Sequence, residues 1–355
     1  MVDLFQRMTV TRSRLQQLFI IIVCLLSAFL RHDESWAEWG YVDKSGNIVI
    51  PPKFEDVDSF SEGLAAVRVG YRWGYLDKSG NMVIRPQFDE AGPFSNDRAV
   101  IVMRHKFGYI DKAGKVIVSP QFKAADAFSE GLAAVLRGNL TGYIDTTGKM
   151  VIPLQFDEAG AFSDERAAVL IGNKWGYIDK TGKTVIPTQF GGAEPFSDGV
   201  AAVLVRDRWG YIGKDGQFVI QPKFESMGPF SEGMAALFRS NVWGYLNKKG
   251  EVAIVQPEFQ AAGKFADGLA PVLVNNNWGY INKPGHFAIR PQFDNAAVSV
   301  DAVDTRSFAE GLAAVLTDGK WGFIDKTGKT IIPPQFEEVR PFSDGLAAIR
   351  ISGKK

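Results

Sequence analysis

The sequence predicts an all-β fold built from nine similar units in tandem. A motif close to W-G-Y-I-D-K-T-G-K-V-V-I-P-P-Q-F-D-E-A-x-P-F-S-E-G-L-A-A-V recurs along the chain, spaced by 34 residues for six steps, then by 35 and by 43. Its first position is occupied by Trp39, Trp73, Phe107, Thr141, Trp175, Trp209, Trp243, Trp278 and Trp321. A fixed period of this length indicates supersecondary units that bury their apolar faces against their neighbours. Pro and Gly at fixed places, with alternating apolar residues, favour strands over the helices of other 34-residue repeats.

Each unit predicts an antiparallel meander of three or four strands. In one unit the three strands are expected at Leu64 to Val69, Trp73 to Asp77 and Asn81 to Ile84. The turn before the last of these has Asp first and Gly three residues later, which favours a type I turn followed by a left-handed residue. Gly213 replaces this Asp in one unit, so we expect a looser turn there. The segment between two recurrent phenylalanines, such as Phe54 and Phe60, has room for a fourth, short edge strand.

The way the units pack is less fully specified. Two adjacent alanines in the first strand of most units predict close approach to the neighbouring unit. The array begins with the second strand of a unit and ends with a first strand at Leu346 to Ile351. This offset would let a β-propeller close, because the last strand can pair into the first blade. Nine blades exceed the usual four to eight, so a propeller-like ring and an open β superhelical array both fit the pattern.

The N-terminal segment differs from the rest in composition. Arg7, Arg12 and Arg14 precede an apolar run from Leu18 to Leu30, and Ser35-Trp36-Ala37 follows. This layout predicts that residues 1–37 are a secretory signal peptide and that residues 38–355 are the repeat array. A retained N-terminal anchor is the alternative.

Composition and motifs argue against several classes of function. The chain has 40 Lys plus Arg and 40 Asp plus Glu, and this balance offers no broad positive field for nucleic acid. It has only three His and one Cys, without metal-ligand spacing, a phosphate-binding loop or a nucleophile motif. The recurring turn Asp residues lack the clustered oxygens that calcium requires. We therefore expect no catalytic residues, no metal and no cofactor.

The residues W-G-Y-I-D-K, P-x-F and F-S-E-G-L-A-A-V together resemble the WG-repeat (KWG-type) family over residues 39 to about 351. Phe107 and Thr141 depart from the signature aromatic, while the rest of their units follow the pattern. The resemblance implies a binding or scaffold role by association. The recurring Trp residues are expected to form the core between units, because burying an indole contributes a few kcal/mol.

The expected function is that of a non-enzymatic, exported scaffold, periplasmic or extracellular. It would bind a protein or polysaccharide partner through aligned inter-strand turns, with membrane contact only if the N-terminal segment is retained. The alternative is a cell-envelope enzyme with a carboxylate site at the axial cleft of a closed ring. The candidate partner-binding residues lie in the variable turns between the two central strands and in the insertion before Phe308: Tyr71, Arg72, Arg104, His105, Lys106, Arg206, Arg208, Asn275, Asn276, Asn277, Asp301, Asp304 and Arg306.

Overall fold

The computed structural model describes residues 38–239, 242–256, 259–295 and 306–352. In these residues every regular element is a β-strand, and the strands form nine antiparallel blades in a ring. The nine units therefore form a β-propeller, and the open superhelix is not adopted. Blades one to nine are numbered by the unit that supplies their signature aromatic position.

The strands of each blade, named a to d along the sheet, recur at fixed places in the unit. The a strands are β3 (Asp56–Val57), β7 (Glu90–Ser95), β11 (Ala124–Ala125), β15 (Glu158–Ala159), β19 (Gly192–Ala193), β23 (Ser226–Met227), β27 (Phe259–Ala262) and β34 (Glu338–Val339). The b strands are β4 (Leu64–Val69), β8 (Arg98–Met103), β12 (Leu132–Arg137), β16 (Ala167–Ile171), β20 (Val200–Val205), β24 (Met234–Arg239), β28 (Leu269–Val274), β31 (Leu312–Thr317) and β35 (Leu346–Ile351). The c strands are β1 (Glu38–Asp43), β5 (Arg72–Asp77), β9 (Lys106–Asp111), β13 (Leu140–Asp145), β17 (Lys174–Ile178), β21 (Arg208–Gly213), β25 (Val242–Asn247), β29 (Asn277–Asn282) and β32 (Lys320–Asp325). The d strands are β2 (Ile48–Phe54), β6 (Met82–Phe88), β10 (Val116–Phe122), β14 (Met150–Phe156), β18 (Thr184–Phe190), β22 (Phe218–Phe224), β26 (Val252–Val255), β30 (Phe287–Asp294) and β33 (Thr330–Phe336).

The predicted meander corresponds to strands b, c and d, and the short fourth strand is strand a. Eight sheets have four strands, and the sheet of blade nine has three among the described residues. The ring closes in blade one, where β34 and β35 join β1 and β2 in a single sheet. The closing register runs from Glu38 opposite Ile351 to Asp43 opposite Leu346.

The core lies between blades, as the interface of blades six and seven illustrates. Ala202, Trp209 and Tyr211 of blade six form one buried cluster with Phe230 and Ala235 of blade seven. Ala201 belongs instead to the cluster shared with blade five. The two adjacent alanines thus face opposite interfaces, and both are buried there.

A buried tyrosine on strand c joins each of the first eight blades to the next. The ring of Tyr75 meets that of Phe94 edge-on at 4.9 Å, and its hydroxyl donates to the Gly92 carbonyl at 2.8 Å. This bond satisfies a polar atom inside an apolar interface, where an unpaired hydroxyl would be costly. Blade nine has Phe323 at this position, which packs on Phe342 in the same geometry without the hydrogen bond.

The Gly of the Trp-Gly pair is required by close packing of strands c and d. A Cβ added to Gly74 would lie 2.5 Å from the Ile84 carbonyl oxygen and 2.7 Å from the Pro86 nitrogen. Strand d bulges here over strand c, and its register with strand c shifts. Only the absence of a side chain allows this approach.

The c–d turns have the predicted bulged geometry. In the first, the Asp43 carboxylate accepts from the backbone N–H groups of Ser45 and Asn47 at 2.9 Å each, and Gly46 has φ 86°. The side-chain and backbone hydrogen bonds from Asn47 lower the pKa of Asp43. The prediction of a looser turn at Gly213 is wrong, because the backbone of this turn keeps both of its hydrogen bonds at 2.9 Å. Asp215 compensates, since its carboxylate accepts from the Gln217 N–H at 3.0 Å.

The a–b turns make a second, unexpected connection between blades. The middle residue of each turn accepts, through its side-chain oxygen, a hydrogen bond from the backbone of the next turn around the ring. These acceptors are Glu62, Asn96, Glu130, Asp164, Asp198, Glu232, Asp267, Glu310 and Asp344. The last of them, Asp344, reaches Gly63 at 2.7 Å and so completes the ring.

The two edges of each blade have different surroundings. Consecutive a–b turns are joined directly, for example by the Ser61 hydroxyl donating to the Phe94 carbonyl at 2.7 Å. The d strands instead expose alternate residues. Neighbouring strands come closest near the axis of a ring, so we place strand a at the opening of the ring and strand d at its circumference. The b–c turns lie on one face of the ring, the b–c face, and the a–b and c–d turns lie on the other, the a–b face.

Candidate binding surfaces

The b–c face gathers the predicted partner-binding turns. Each described b–c turn has two residues between its strands, as in the pairing of Met103 with Lys106. The predicted residues here are all exposed, and Tyr71 retains 82% of its surface. They are Tyr71, Arg72, Arg104, His105, Lys106, Arg206, Arg208, Asn275, Asn276 and Asn277. Because every b strand ends on this face, residues far apart in sequence share one surface.

Several of these turns place non-glycine residues in the left-handed region. Arg104 and His105 have φ values of 51° and 60°, and Asn275 and Asn276 have 48° and 63°. Two consecutive positive φ values match the type I′ hairpin, which favours Asn-Gly. Arginine, unlike asparagine, has no intrinsic preference for the left-handed region. Holding a non-glycine residue there costs of order 1–3 kcal/mol in folding free energy. The a–b turns contain similar pairs, such as Asn96 and Asp97, so the Arg104–His105 turn differs from them by its basic side chains.

The charged residues on this face divide into those that form ion pairs and those that do not. Arg72 pairs with Asp89, and Arg208 lies 3.4 Å from Glu225. Across the described ranges, the side chains of Arg104, Lys106 and Arg206 make no ion pair. Arg104 and Lys106 therefore place two exposed cations on either side of His105, and the Asp89 carboxylate accepts from the Arg104 backbone N–H beside them.

The insertion before Phe308 does not deliver Arg306 to the surface. Arg306 is 1% exposed, with its guanidinium 5.0 Å from the ring centres of both Trp278 and Trp321. Burial lowers its pKa to about 10. The Tyr280 hydroxyl donates to the Arg306 carbonyl at 2.8 Å, as the other tyrosines donate to a carbonyl in or just after strand a. The prediction of partner contact through this side chain is therefore corrected, because the arginine fills the interface between two indoles.

Asp301 and Asp304, the other predicted residues of the insertion, lie outside the described residues. Their contact with a partner stays a prediction.

The opening of the ring is acidic on one side. Strand a or the residue after it carries Glu90, Asp126, Glu158 and Glu194 in four consecutive blades. The Asp126 side chain is exposed, and desolvation by the protein around it raises the pKa of its carboxyl group to about 6. On the opposite side Arg340 lies 3.3 Å from Asp58 and 3.5 Å from Asp56, which neutralises part of the charge.

Blade four has a notch where its signature indole is missing. Thr141 takes the place of Trp, and a cavity of about 40 Å³ opens beside it. Its lining residues come from blades four and five: Ala124, Asp126, Ala134, Leu136, Thr141, Asp157, Glu158 and Ala159. From the sequence, Thr141 was interpreted only as a departure from the repeat motif. A large-to-small change at a repeated core position also predicts a cavity.

In residues 38–352, leaving out the three short gaps, no group of three or more His, Cys, Asp or Glu side chains could hold a metal ion. The carboxylates of Glu62 and Asp198 are engaged within the ring, since each accepts a backbone hydrogen bond from the next blade.

The described part of the chain contains no helix long and apolar enough to cross a membrane.

Comparison with known proteins supports the fold. A family profile described as a WG-containing repeat matches residues 39–73, 73–106, 107–140, 142–175, 175–209, 209–238, 243–278, 278–321 and 321–354. A structure described as the eukaryotic initiation factor matches with a TM-score of 0.60 and 12% identity, over 90% of this chain and 98% of that chain. BamB from Moraxella catarrhalis matches with a TM-score of 0.43 and 12% identity, over 83% and 90%. No curated protein matches the chain. At these identities the first structure supports the ring architecture alone.

Proposed function

Because the chain belongs to the family of proteins built from WG-containing repeats, we propose that it is a non-enzymatic interaction scaffold that binds an acidic protein or polysaccharide through its b–c face. The nine-bladed ring holds the turns of this face in fixed relative positions. Variable turns on a rigid scaffold are the usual place for binding contacts.

The observation that carries this proposal is the Arg104–His105–Lys106 turn. Its side chains are exposed, and its backbone adopts a conformation that favours other residue types. Arg206 adds a further cation on the same face. Clustered basic groups suit carboxylates, sulfates or uronic acids, to which arginine donates in pairs.

The test is a variant that removes the charges without weakening the fold. Arg104→Asn, His105→Gly and Lys106→Thr give the turn the Asn-Gly sequence preferred at type I′ positions, so the thermal midpoint should stay or rise. We expect retention on immobilised poly-glutamate or on alginate to fall at least tenfold, and the more retentive of the two identifies the partner class. The matched control, Lys78→Ser with Lys326→Ser, removes two exposed lysines from the a–b face. Equal retention of the two variants would contradict the proposal.

The proposed location is the bacterial cell envelope, after export. The support is the sequence of residues 1–37, with its basic start, apolar run and small residues at Ser35 and Ala37. We expect N-terminal sequencing of the protein purified from its native host to begin at Glu38. A mature protein beginning at Met1 would favour a retained anchor instead.

A second candidate, catalysis at the axial opening, has one observation in its favour. The raised pKa of Asp126, about 6, approaches the range in which a general acid or base works at neutral pH. Any turnover that this chain catalyses should then be lost in Asp126→Asn, and turnover unaffected by that change would remove the candidate.

A further inference from the structure

Strand d is the outermost strand of every blade, and its open edge is protected in all blades except one. Each d strand ends its sheet, so no described strand pairs with its outer side. An open edge presents N–H and C=O groups on which another polypeptide can pair. Proline blocks such pairing because it has no N–H group, and every d strand contains proline except β26 of blade seven.

In the protected blades, proline or a polar residue occupies the position that faces outward. The Ile50 carbonyl oxygen of β2 would lie 2.5 Å from a Cβ added to Gly40, so it points toward strand c. Successive residues of a strand direct their backbone groups to opposite sides, so the next residue, Pro51, faces the open edge. Proline also holds this position in blades four, five and nine. The remaining protected blades have an exposed polar residue there and proline directly after it: Arg85, Ser119, Gln221 and Arg290.

Blade seven has no proline at this position because its unit contains one extra residue. The unit is one residue longer than those before it, and Pro257 comes after β26 has ended. The Ile254 carbonyl oxygen would lie 2.5 Å from a Cβ added to Gly244, so the next residue, Val255, faces the open edge. The Val255 side chain retains 60% of its surface. The edge of β26 therefore presents an N–H group beside an exposed apolar side chain.

Blade seven also lacks the bulge that distorts the other d strands. In the other blades the register of strands c and d shifts between the signature position and the aromatic residue two positions later. In blade seven Ile254 lies opposite Tyr245 and Val255 opposite Gly244 without a shift. Bulges are a second means by which proteins prevent edge pairing. β26 is thus the one d strand that has neither form of protection.

The turn before β26 places a cation beside this edge. Lys249 is exposed and forms no ion pair within the described residues, whereas its neighbour Lys248 lies 3.8 Å from Asp198. At about 3.3 Å per residue, an extended segment of roughly six residues spans the length from Val255 to this turn. A carboxylate at the end of such a segment would be attracted to Lys249.

These features favour an extended peptide over a second copy of the chain. A stable interface between two folded proteins buries about 1,600 Å². The rims of two rings curve away from each other, and β26 has only four residues, with protected d strands in the blades on either side. A single extended segment needs only the backbone hydrogen bonds of the edge, and its side chains can cover Val255.

We propose that the open edge of β26 binds an extended segment of a partner protein by antiparallel strand addition. The segment pairs its backbone with that of Val255, has apolar side chains at alternate positions, and ends in a carboxylate beside Lys249. Antiparallel pairing, which is slightly more stable per residue, directs the C-terminal end of the segment toward this lysine. The site lies on the circumference of the ring and is separate from the b–c face.

The experiment uses the full chain and synthetic peptides. The probe is acetyl-Thr-Val-Thr-Val-Thr-Glu-amide, and its binding should shift the NMR signal of the Val255 amide and slow its exchange with solvent. Two analogues carry N-methyl groups at alternate residues, and the one that loses the N–H groups facing β26 should bind about tenfold more weakly or less. An analogue with Lys in place of Glu should also bind more weakly. Equal binding of all the peptides, or no binding of the probe at millimolar concentration, would overturn the proposal.

Two variants and a matched control locate the site. Val255→Pro gives β26 the proline that other d strands have and should weaken binding of the probe about tenfold or more. The control Arg85→Pro makes the same kind of change in blade two, where it creates the Pro-Pro pair found in β2, and should leave binding unchanged. Lys249→Glu should reverse the preference, so that the Lys-ended peptide binds better than the Glu-ended one.

The thermal midpoint of each variant shows whether its fold is retained, and the charge reversal at Lys249 does not depend on the fold of Val255→Pro. Undiminished binding in a folded Val255→Pro variant, or an unchanged preference in Lys249→Glu, would refute the site. The triple variant of the b–c face should bind the probe normally, so failure of this site is distinguishable from failure of the proposed b–c function.

Discussion

Removing β35 by ending the chain at Gly345 should open the ring and lower its stability more than any single side-chain substitution. This strand supplies the b position of blade one, where it pairs along its whole length with β1. Its Leu346, Ala347, Ala348 and Ile349 are buried in the two clusters on either side of that blade. Burial of the Leu and Ile side chains alone is worth about 1.5–3 kcal/mol each, and the paired backbone adds to it.

The loss should appear in both shape and melting. Solution scattering should show a larger radius of gyration, and the thermal midpoint should fall by at least about 10 °C, since 1 kcal/mol shifts a large domain by a few degrees. A control chain that ends at Ser352 keeps β35 complete. If the two truncated chains have the same radius and midpoint, the strand does not close the ring.

Replacing Trp209 with Ala should lower the free energy of unfolding by about 3 kcal/mol or more, as in other large-to-small core changes. The indole is 6% exposed and lies in the cluster between blades six and seven. Its loss removes dispersion contacts within this cluster and leaves a cavity between the paired strands. Denaturant titration followed by circular dichroism measures the change.

Trp175 provides the matched comparison for this substitution. It holds the same place in blade five but is only half-buried. Trp175→Ala should therefore cost less than Trp209→Ala. An unchanged midpoint for Trp209→Ala would mean that the repeated indoles do not form the core between blades.

The repeat pattern predicted the parts of the blade better than their assembly. Strands b, c and d and the bulged c–d turn follow from residues within one unit. Whether nine units close depends on the sum of nine small rotations, and no single unit encodes that sum in a visible pattern. The offset ends of the array were the one sequence signal for closure, and the pairing of Glu38 with Ile351 confirms it.

The candidate sites were predicted unevenly for physical reasons. The b–c turns were recognised because they vary, whereas the a–b turns drew no attention because they recur. Recurrence hid the fact that Glu62 and its equivalents bond to the next blade rather than to their own turn. Arg306 was misjudged because a charged residue after an insertion usually faces water, and in this interface two indoles provide an alternative to solvation. The replacement of Trp by Thr141 was evident in the sequence. The cavity beside it could not be predicted, because its size depends on how far an indole at this position would extend.

Because strand pairing closes the ring, the two ends of the repeat array lie side by side in one blade. Glu38 and Ile351 stand in the register that two-residue turns join in the other blades, as between Val69 and Arg72. A two-residue bridge could therefore splice these ends, and a cut at another hairpin would give a circularly permuted polypeptide with the same blades. The nine blades formed by residues 38–351 therefore do not depend on which hairpin the polypeptide is cut at.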